Sequence, residues 1–158
     1  MQTFLADSTF KACAEVLDNK RLNKQRLECL QIYNACTGVR HKADGTEVGP
    51  AIGWRTHPAV RMWKRYEAFL CMYAVYISAE CDARGIADNH NLKQFFTDRM
   101  LRHEFKVPSW WYNLAEREKI IHTHRCNLVR KDFNFYSPRF PSVHISQIYT
   151  TQYYWPNS

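Results

Sequence analysis

No run of apolar residues in this 158-residue chain comes near the ~20 needed to cross a bilayer. Its opening, MQTFLADSTF, lacks both the basic start and the apolar middle of a signal peptide, so no leader is expected. The cysteines, Cys13, Cys29, Cys36, Cys71, Cys81 and Cys126, show no C-x-x-C spacing and sit mostly in apolar, helix-patterned surroundings. That excludes the usual zinc and iron–sulfur patterns and fits reduced, buried thiols in a cytoplasmic-type protein. No internal repeat and no linker interrupts the chain, so residues 1–158 are expected to form one domain, long enough to bury a sizeable core. Acidic residues are scarce: 15 Asp and Glu stand against 22 Lys and Arg, for a net charge of +7 and a pI near 9.2.

What is present follows from that imbalance. An excess of positive charge favours a polyanionic partner, either nucleic acid or an anionic membrane surface. The bases gather in three places, Lys20–Arg26, Arg55–Arg65 and Arg117–Lys131, and such clustering says more than the total. Hydrophobic residues at 46% and aromatics at 15% exclude wholesale disorder and leave rings over for a binding surface.

The periodicity is helical almost throughout. Asp7 or Ser8 caps a short helix through about Leu17, with a break near Asp18–Asn19. A second helix carries the stretch Val16–Gln31 on to about Cys36 and ends at Thr37–Gly38. Val39 to Gly53 reads as an exposed loop with an Asp44–Gly45 hairpin turn. Thr56 and Pro58 open the longest helix, roughly His57 to Arg84, closed by Gly85; its segment Phe69–Ile77 is apolar nearly all round. Asp88 or Asn89 caps another helix to about His103, and Asn113 caps one to about Val129. Beyond Arg130 come Pro138, Pro141 and Pro156 and no helical period. The expected fold is all-α: a single compact helical domain with one long central helix and an irregular, aromatic-rich C-terminal segment.

The stretch Val16–Gln31 is the most informative. At about 100° per residue, Leu22, Cys29, Leu30, Tyr33 and Cys36 share one side of the helix. Arg21, Lys24, Gln25, Glu28 and Gln31 share another, with Lys20 and Arg26 nearby. Such a lone carboxylate among bases and amides is either a solvated face held by i,i+4 pairs such as Lys24–Glu28, or a catalytic acid in a groove that attracts phosphates. On this stretch alone the solvated face is the simpler reading.

Three stretches together resemble the pyrimidine-dimer DNA glycosylase family of the phage endonuclease V type. In Asp18–Glu28, Leu22 and Glu28 keep the spacing of that family's leucine and catalytic glutamate. Phe69–Gly85, ending ISAECDARG, resembles its long helix, and Arg125–Tyr136, RCNLVRKDFNFY, its basic and aromatic C-terminal segment. The resemblance implies binding of double-stranded DNA and the turning-out of a base, in this family the adenine opposite the lesion. Attack of a protein amine on the sugar C1′ then gives a Schiff base, and β-elimination cuts the strand. It implies Glu28 as the acid near C1′ and, as nucleophile, the α-amine of Met1 or of Gln2. The family's own terminal residue is a threonine, whereas here position 2 is Gln and the threonine is Thr3. It assigns DNA contacts to Arg21, Lys24, Gln25, Arg26, His57, Asn127, Arg130 and Lys131, and an aromatic pair at the lesion to Phe135 and Tyr136. His57 is equally a helix-start histidine bonded to backbone, and Phe135 equally a core residue.

The expected protein is thus a small DNA glycosylase, with AP-lyase activity as an extension, that needs no cofactor and no metal. It acts as a monomer on double-stranded DNA, away from membranes, in the cytoplasm (the nucleoid, or the host cell if viral). The alternatives are a non-catalytic DNA- or base-binding module of the same fold, and a divergent member acting on modified phage bases. His122 and His124 lie two residues apart and face different ways, which disfavours a shared metal. Trp110-Trp111 reads as a core plug or a DNA wedge, and the Tyr/Trp-rich end has no assignment.

Overall fold

Asp18 opens the helix around which the chain is arranged. In the computed structural model, which describes residues 2–156, its carboxylate accepts the Arg21 main-chain N–H at 3.0 Å, satisfying one of the orphan donors of a first helical turn. A short helix, α1 (Phe10–Glu15), capped by Thr9, precedes it. The helix itself, α2 (Asn19–Thr37), is the longest at 19 residues. It ends at Gly38, whose left-handed φ of +76° lets its N–H reach Asn34 O at 2.9 Å. The expected hairpin follows as β1 (Val39–His41) and β2 (Glu47–Pro50), antiparallel, with Gly45 at φ +87° in the turn.

The helix expected over His57–Arg84 is two. His57 caps α3 (Pro58–Arg61), the chain turns through Arg65 at φ +75°, and α4 (Glu67–Ala83) then begins. The apolar period runs through this break and hides it. The turn brings the adjacent residues Met62 and Trp63 both into the core, where an uninterrupted helix would point them about 100° apart. The α4 segment is buried over most of its circumference and packs on α1, α2 and the next helix, α5 (Leu92–Met100). It is the central helix of the fold, though not its longest. The α5 start lies later than expected because Asp88 makes a turn first, its carboxylate accepting from Lys93 N at 2.9 Å and Asn91 adopting φ +52°.

One turn, α6 (Ser109–Tyr112), carries the paired tryptophans inward: Trp110 donates to Met62 O at 3.3 Å, and Trp111 packs on Phe10 and Phe69. They plug the core. Asn113 caps α7 (Leu114–Lys131) by accepting from Glu116 N at 3.1 Å. The C-terminal segment is more ordered than its prolines suggest. It contains α8 (Phe133–Tyr136) and α9 (Ile145–Thr150), both too short to show a period. All six cysteines are free and buried, and among the described residues no helix is long and apolar enough to cross a membrane.

An extended segment before α1 runs through the middle of this assembly. Thr3, Phe4, Leu5 and Ala6 are buried yet belong to no helix or sheet, so their peptide groups need other partners. Side chains from three helices supply them. Phe4 N donates to Gln25 Oε1 at 3.0 Å, Tyr73 Oη to Phe4 O at 3.0 Å, Leu5 N to His124 Nδ1 at 2.9 Å, and Arg125 Nε to Ala6 O at 2.7 Å. Trp63 Nε1 adds a bond to Thr3 Oγ1 at 2.9 Å.

His124 must be neutral at Nδ1 to accept that bond, and complete burial lowers its pKa from 6.5 to about 3. Between those values the unfolded chain binds a proton that the folded one refuses, so stability falls as pH falls through this window. In His124→Gln, the amide oxygen can take the Leu5 bond without titrating. Thermal unfolding from pH 7 to pH 4 is expected to show a steeper acid loss for the wild type, by up to about 1.4 kcal/mol per pH unit; parallel curves would refute a buried neutral histidine.

Candidate active site

Helix α2 presents Lys20, Arg21, Lys24, Gln25 and Glu28 along one side, and this side floors a pocket of about 400 Å³. Gln2 and Phe4 of the buried N-terminal segment, Lys131 at the end of α7, and Tyr153 of the C-terminal segment complete its walls. Size alone does not single it out, since the cleft between the hairpin and α5 measures about 390 Å³. Its chemistry does: a carboxylate sits at the centre of a ring of cations.

Glu28 is 5% exposed. Its Oε2 accepts from the main-chain N of Gln2 at 2.6 Å, and its Oε1 faces Lys24 Nζ at 3.4 Å. Gln25, one turn earlier, holds the same segment: its Nε2 donates to Gln2 O at 3.1 Å while its Oε1 takes Phe4 N and Tyr73 Oη. The carboxylate and the nitrogen of residue 2 are therefore fixed against one another by a buried network. Met1, the other nucleophile expected from the sequence, lies outside the described residues.

The cations are held in different ways. Arg21 is braced by Asp18 at 2.6 Å and Asp132 at 3.9 Å and lies over the Tyr136 ring. Lys24 extends into solvent. Lys131 is crowded: partial burial pushes its pKa below the ordinary lysine value, and Arg21, Arg130 and Lys24 push it further, against the pull of Glu28. Cations gathered at the cost of mutual repulsion make a site that an anion relieves.

The remaining expected residues are not brought to this pocket. Arg26 precedes Glu28 by two positions, about 200° round the helix, so it points to the opposite side. There it is buried, donating to Ala87 O at 2.8 Å and to Asn23, and facing Asp88 at 3.6 Å. Asn127 is also buried. Its amide donates to Thr123 O at 2.7 Å and to Thr151 O at 3.4 Å, its oxygen takes Arg130, and it thereby pins the C-terminal segment to α7. Tyr136 closes the core, its hydroxyl accepting from Asp18 N at 3.0 Å and donating to Asp18 Oδ2, so that it braces the start of α2. Burial alone would raise the Asp18 pKa, but Tyr136 and Arg21 together hold it below the usual value. Phe135 is half-buried under the Arg139 guanidinium, 3.7 Å from its ring centre. His57 is a helix-cap histidine, its Nδ1 accepting from Ala59 N at 3.1 Å; burial lowers its pKa, and the charge of Glu28 opposes that shift.

Phe4, Lys20 and Tyr153 line the pocket without having been singled out. The Tyr153 ring packs on His124 and Trp155, and its buried hydroxyl has no hydrogen-bond partner. Lys20 follows from the helix period, one turn before Lys24, but nothing local in the sequence marks Phe4 and Tyr153, which meet Glu28 only through the tertiary fold. No group of three or more His, Cys, Asp or Glu suited to a metal forms among the described residues.

The pocket thus sets an acid, buried at a main-chain nitrogen, among Lys and Arg side chains in an all-α protein. The family model described as pyrimidine dimer DNA glycosylase matches residues 1–94, and the chain belongs to that family. No curated protein and no solved structure matches the chain. DNA is therefore the polyanion its family binds, and Lys131 and Tyr153 are pocket residues beyond the matched segment. Replacing Lys131 by Gln is expected to reduce the slope of log affinity against log salt by about 1, measured by fluorescence anisotropy on duplex DNA. An unchanged slope would show that Lys131 meets no phosphate.

Proposed function

We propose that the protein is a DNA glycosylase that excises damaged or modified pyrimidines through the N-terminal α-amine and Glu28, and goes on to cut the strand as an AP lyase. The attacking amine belongs to Met1 or, once Met1 is removed, to Gln2. One observation carries the proposal: the nitrogen of Gln2 lies 2.6 Å from Glu28 Oε2 at the base of the basic pocket. An α-amine has a pKa of about 7.7–8.0, against about 10.4 for lysine, so a useful fraction is unprotonated near neutral pH.

In this mechanism the amine nitrogen bonds to C1′ as the glycosidic bond breaks, and the base leaves with the electron pair. Glu28 stabilises the positive charge that develops on the sugar and takes the proton released by the amine. It returns a proton to the ring oxygen as the C1′–O4′ bond opens to the imine. Loss of a C2′ proton then expels the 3′ phosphate. Arg21, Lys24 and Lys131 hold the flanking phosphates. The same proposal takes the chain as one domain and a monomer, acting on double-stranded DNA in the cytoplasm. A second reading is favoured by Lys131, whose amine lines the same pocket as Glu28 and is the rival nucleophile.

Duplex DNA carrying one cis-syn thymine dimer, treated with borohydride, distinguishes these outcomes by intact and peptide mass spectrometry. An adduct on the N-terminal peptide is expected, and one on the Lys131 peptide would move the nucleophile there. Glu28→Gln is expected to lower excision at least about 100-fold while leaving DNA affinity within a few-fold. Binding without any adduct or strand cut would leave a base-binding module of the same fold.

A further inference from the structure

The loop from residue 51 to 57, between β2 and α3, displays the two most conspicuous exposed apolar side chains beside the pocket. Ile52 is 84% exposed and Trp54 63%. Trp63 and Trp110 are buried, and Trp111 and Trp155 half-buried, so Trp54 differs from every other tryptophan of the chain. It sits at φ +65°, a left-handed conformation that bulky residues rarely adopt. The loop is nonetheless anchored at both ends: Ala51 N donates to Gly38 O at 2.9 Å, and His57 N to Trp54 O at 2.9 Å. The indole meets the His57 ring edge-on at 5.5 Å.

Its position relative to Glu28 gives this loop its meaning. Ile52, Gly53 and Trp54 form one wall of a depression of about 440 Å³ whose floor is Gln31, Asn34 and Ala35. Lys24, Glu28, Gln31 and Ala35 succeed each other along one side of α2, so this depression continues the line of the Glu28 pocket. From Glu28 to Ala35 is about 10 Å along the helix, or about three base steps. The flank is cationic: Arg40, Arg55, Arg61 and Lys64 are exposed, and no carboxylate occurs between Glu47 and Glu67. An apolar tip framed by cations fits a ligand that is apolar between two lines of negative charge, as stacked bases are between phosphate backbones.

We propose that Ile52-Gly53-Trp54 is a wedge that enters duplex DNA beside the Glu28 pocket, with the Trp54 indole stacking in the gap left by the nucleotide turned out of the helix. Wedging by apolar side chains is a general way to unstack a base step, and an aromatic face replaces part of the stacking that is lost. This inference rests on the glycosylase reading and adds the group that holds the opened duplex.

The test compares wild type, Trp54→Ala and Trp54→Phe on a duplex with one cis-syn thymine dimer opposite 2-aminopurine. A second substrate has the dimer facing an unpaired loop. On the paired duplex, W54A is expected to excise about 10- to 100-fold more slowly, and W54F to recover most of the rate. On the unpaired substrate the loss should shrink to a few-fold, because no stack has to be opened. Binding by Glu28→Gln protein should brighten 2-aminopurine and quench tryptophan emission, and W54A should abolish both changes. Equal losses on the two substrates, or an undiminished 2-aminopurine signal with W54A, would overturn the wedge. So would sedimentation showing that W54A dissolves a dimer without altering any DNA readout. Should wild type excise nothing, the glycosylase reading fails, while the fluorescence changes still decide the wedge.

Discussion

The structure depends on a buried extended segment whose peptide groups are satisfied by side chains. Residues 3–6 have no strand beside them and no helical turn of their own, so Gln25, Tyr73, His124 and Arg125 must reach them from α2, α4 and α7. A buried N–H or C=O left unmatched costs about 1–3 kcal/mol, so this network locks three helices in register only when all its members are present. The same network sets the chemistry. Gln25 and Glu28 lie one turn apart on α2, and while Gln25 holds residues 2 and 4, Glu28 takes the nitrogen of residue 2. Core packing and the candidate reacting groups are therefore one arrangement.

The opposing constraint is electrostatic. Arg21, Lys24 and Lys131 surround a single carboxylate, and partial burial together with the charges of Arg21, Arg130 and Lys24 leaves Lys131 with a lowered pKa. Asp18 and Asp132 steady Arg21 from below, and Tyr136 steadies Asp18. Such a cluster costs folding stability unless a negative charge relieves it. The segment matched by the family model supplies the floor of the pocket, the acid and the exposed loop, while Lys131 and Tyr153 close it from beyond residue 94. The tyrosine- and tryptophan-rich C-terminal segment thus has a structural role. Its Tyr154 N and Oη bond to Thr123 and Glu116 of α7, and Tyr153 and Trp155 cover His124.

Helical period, together with side-chain and glycine caps, determined a good part of this from sequence alone. Asp18, Gly38 and Asn113 bound their helices as their chemistry requires, and the gathering of Arg21, Lys24, Gln25 and Glu28 on one side follows from 3.6 residues per turn. What that period could not decide is which members of the stripe meet solvent. Gln25 turned inward to the buried segment because of partners 21 or more residues away. The break between α3 and α4, the burial of Tyr136 and Asn127, and the meeting of Phe4, Glu28 and Tyr153 were decided only by tertiary structure. Local sequence encodes interactions within a turn or two of the chain, whereas a buried polar group is satisfied by whatever the fold brings to it, and that information is spread over the whole molecule.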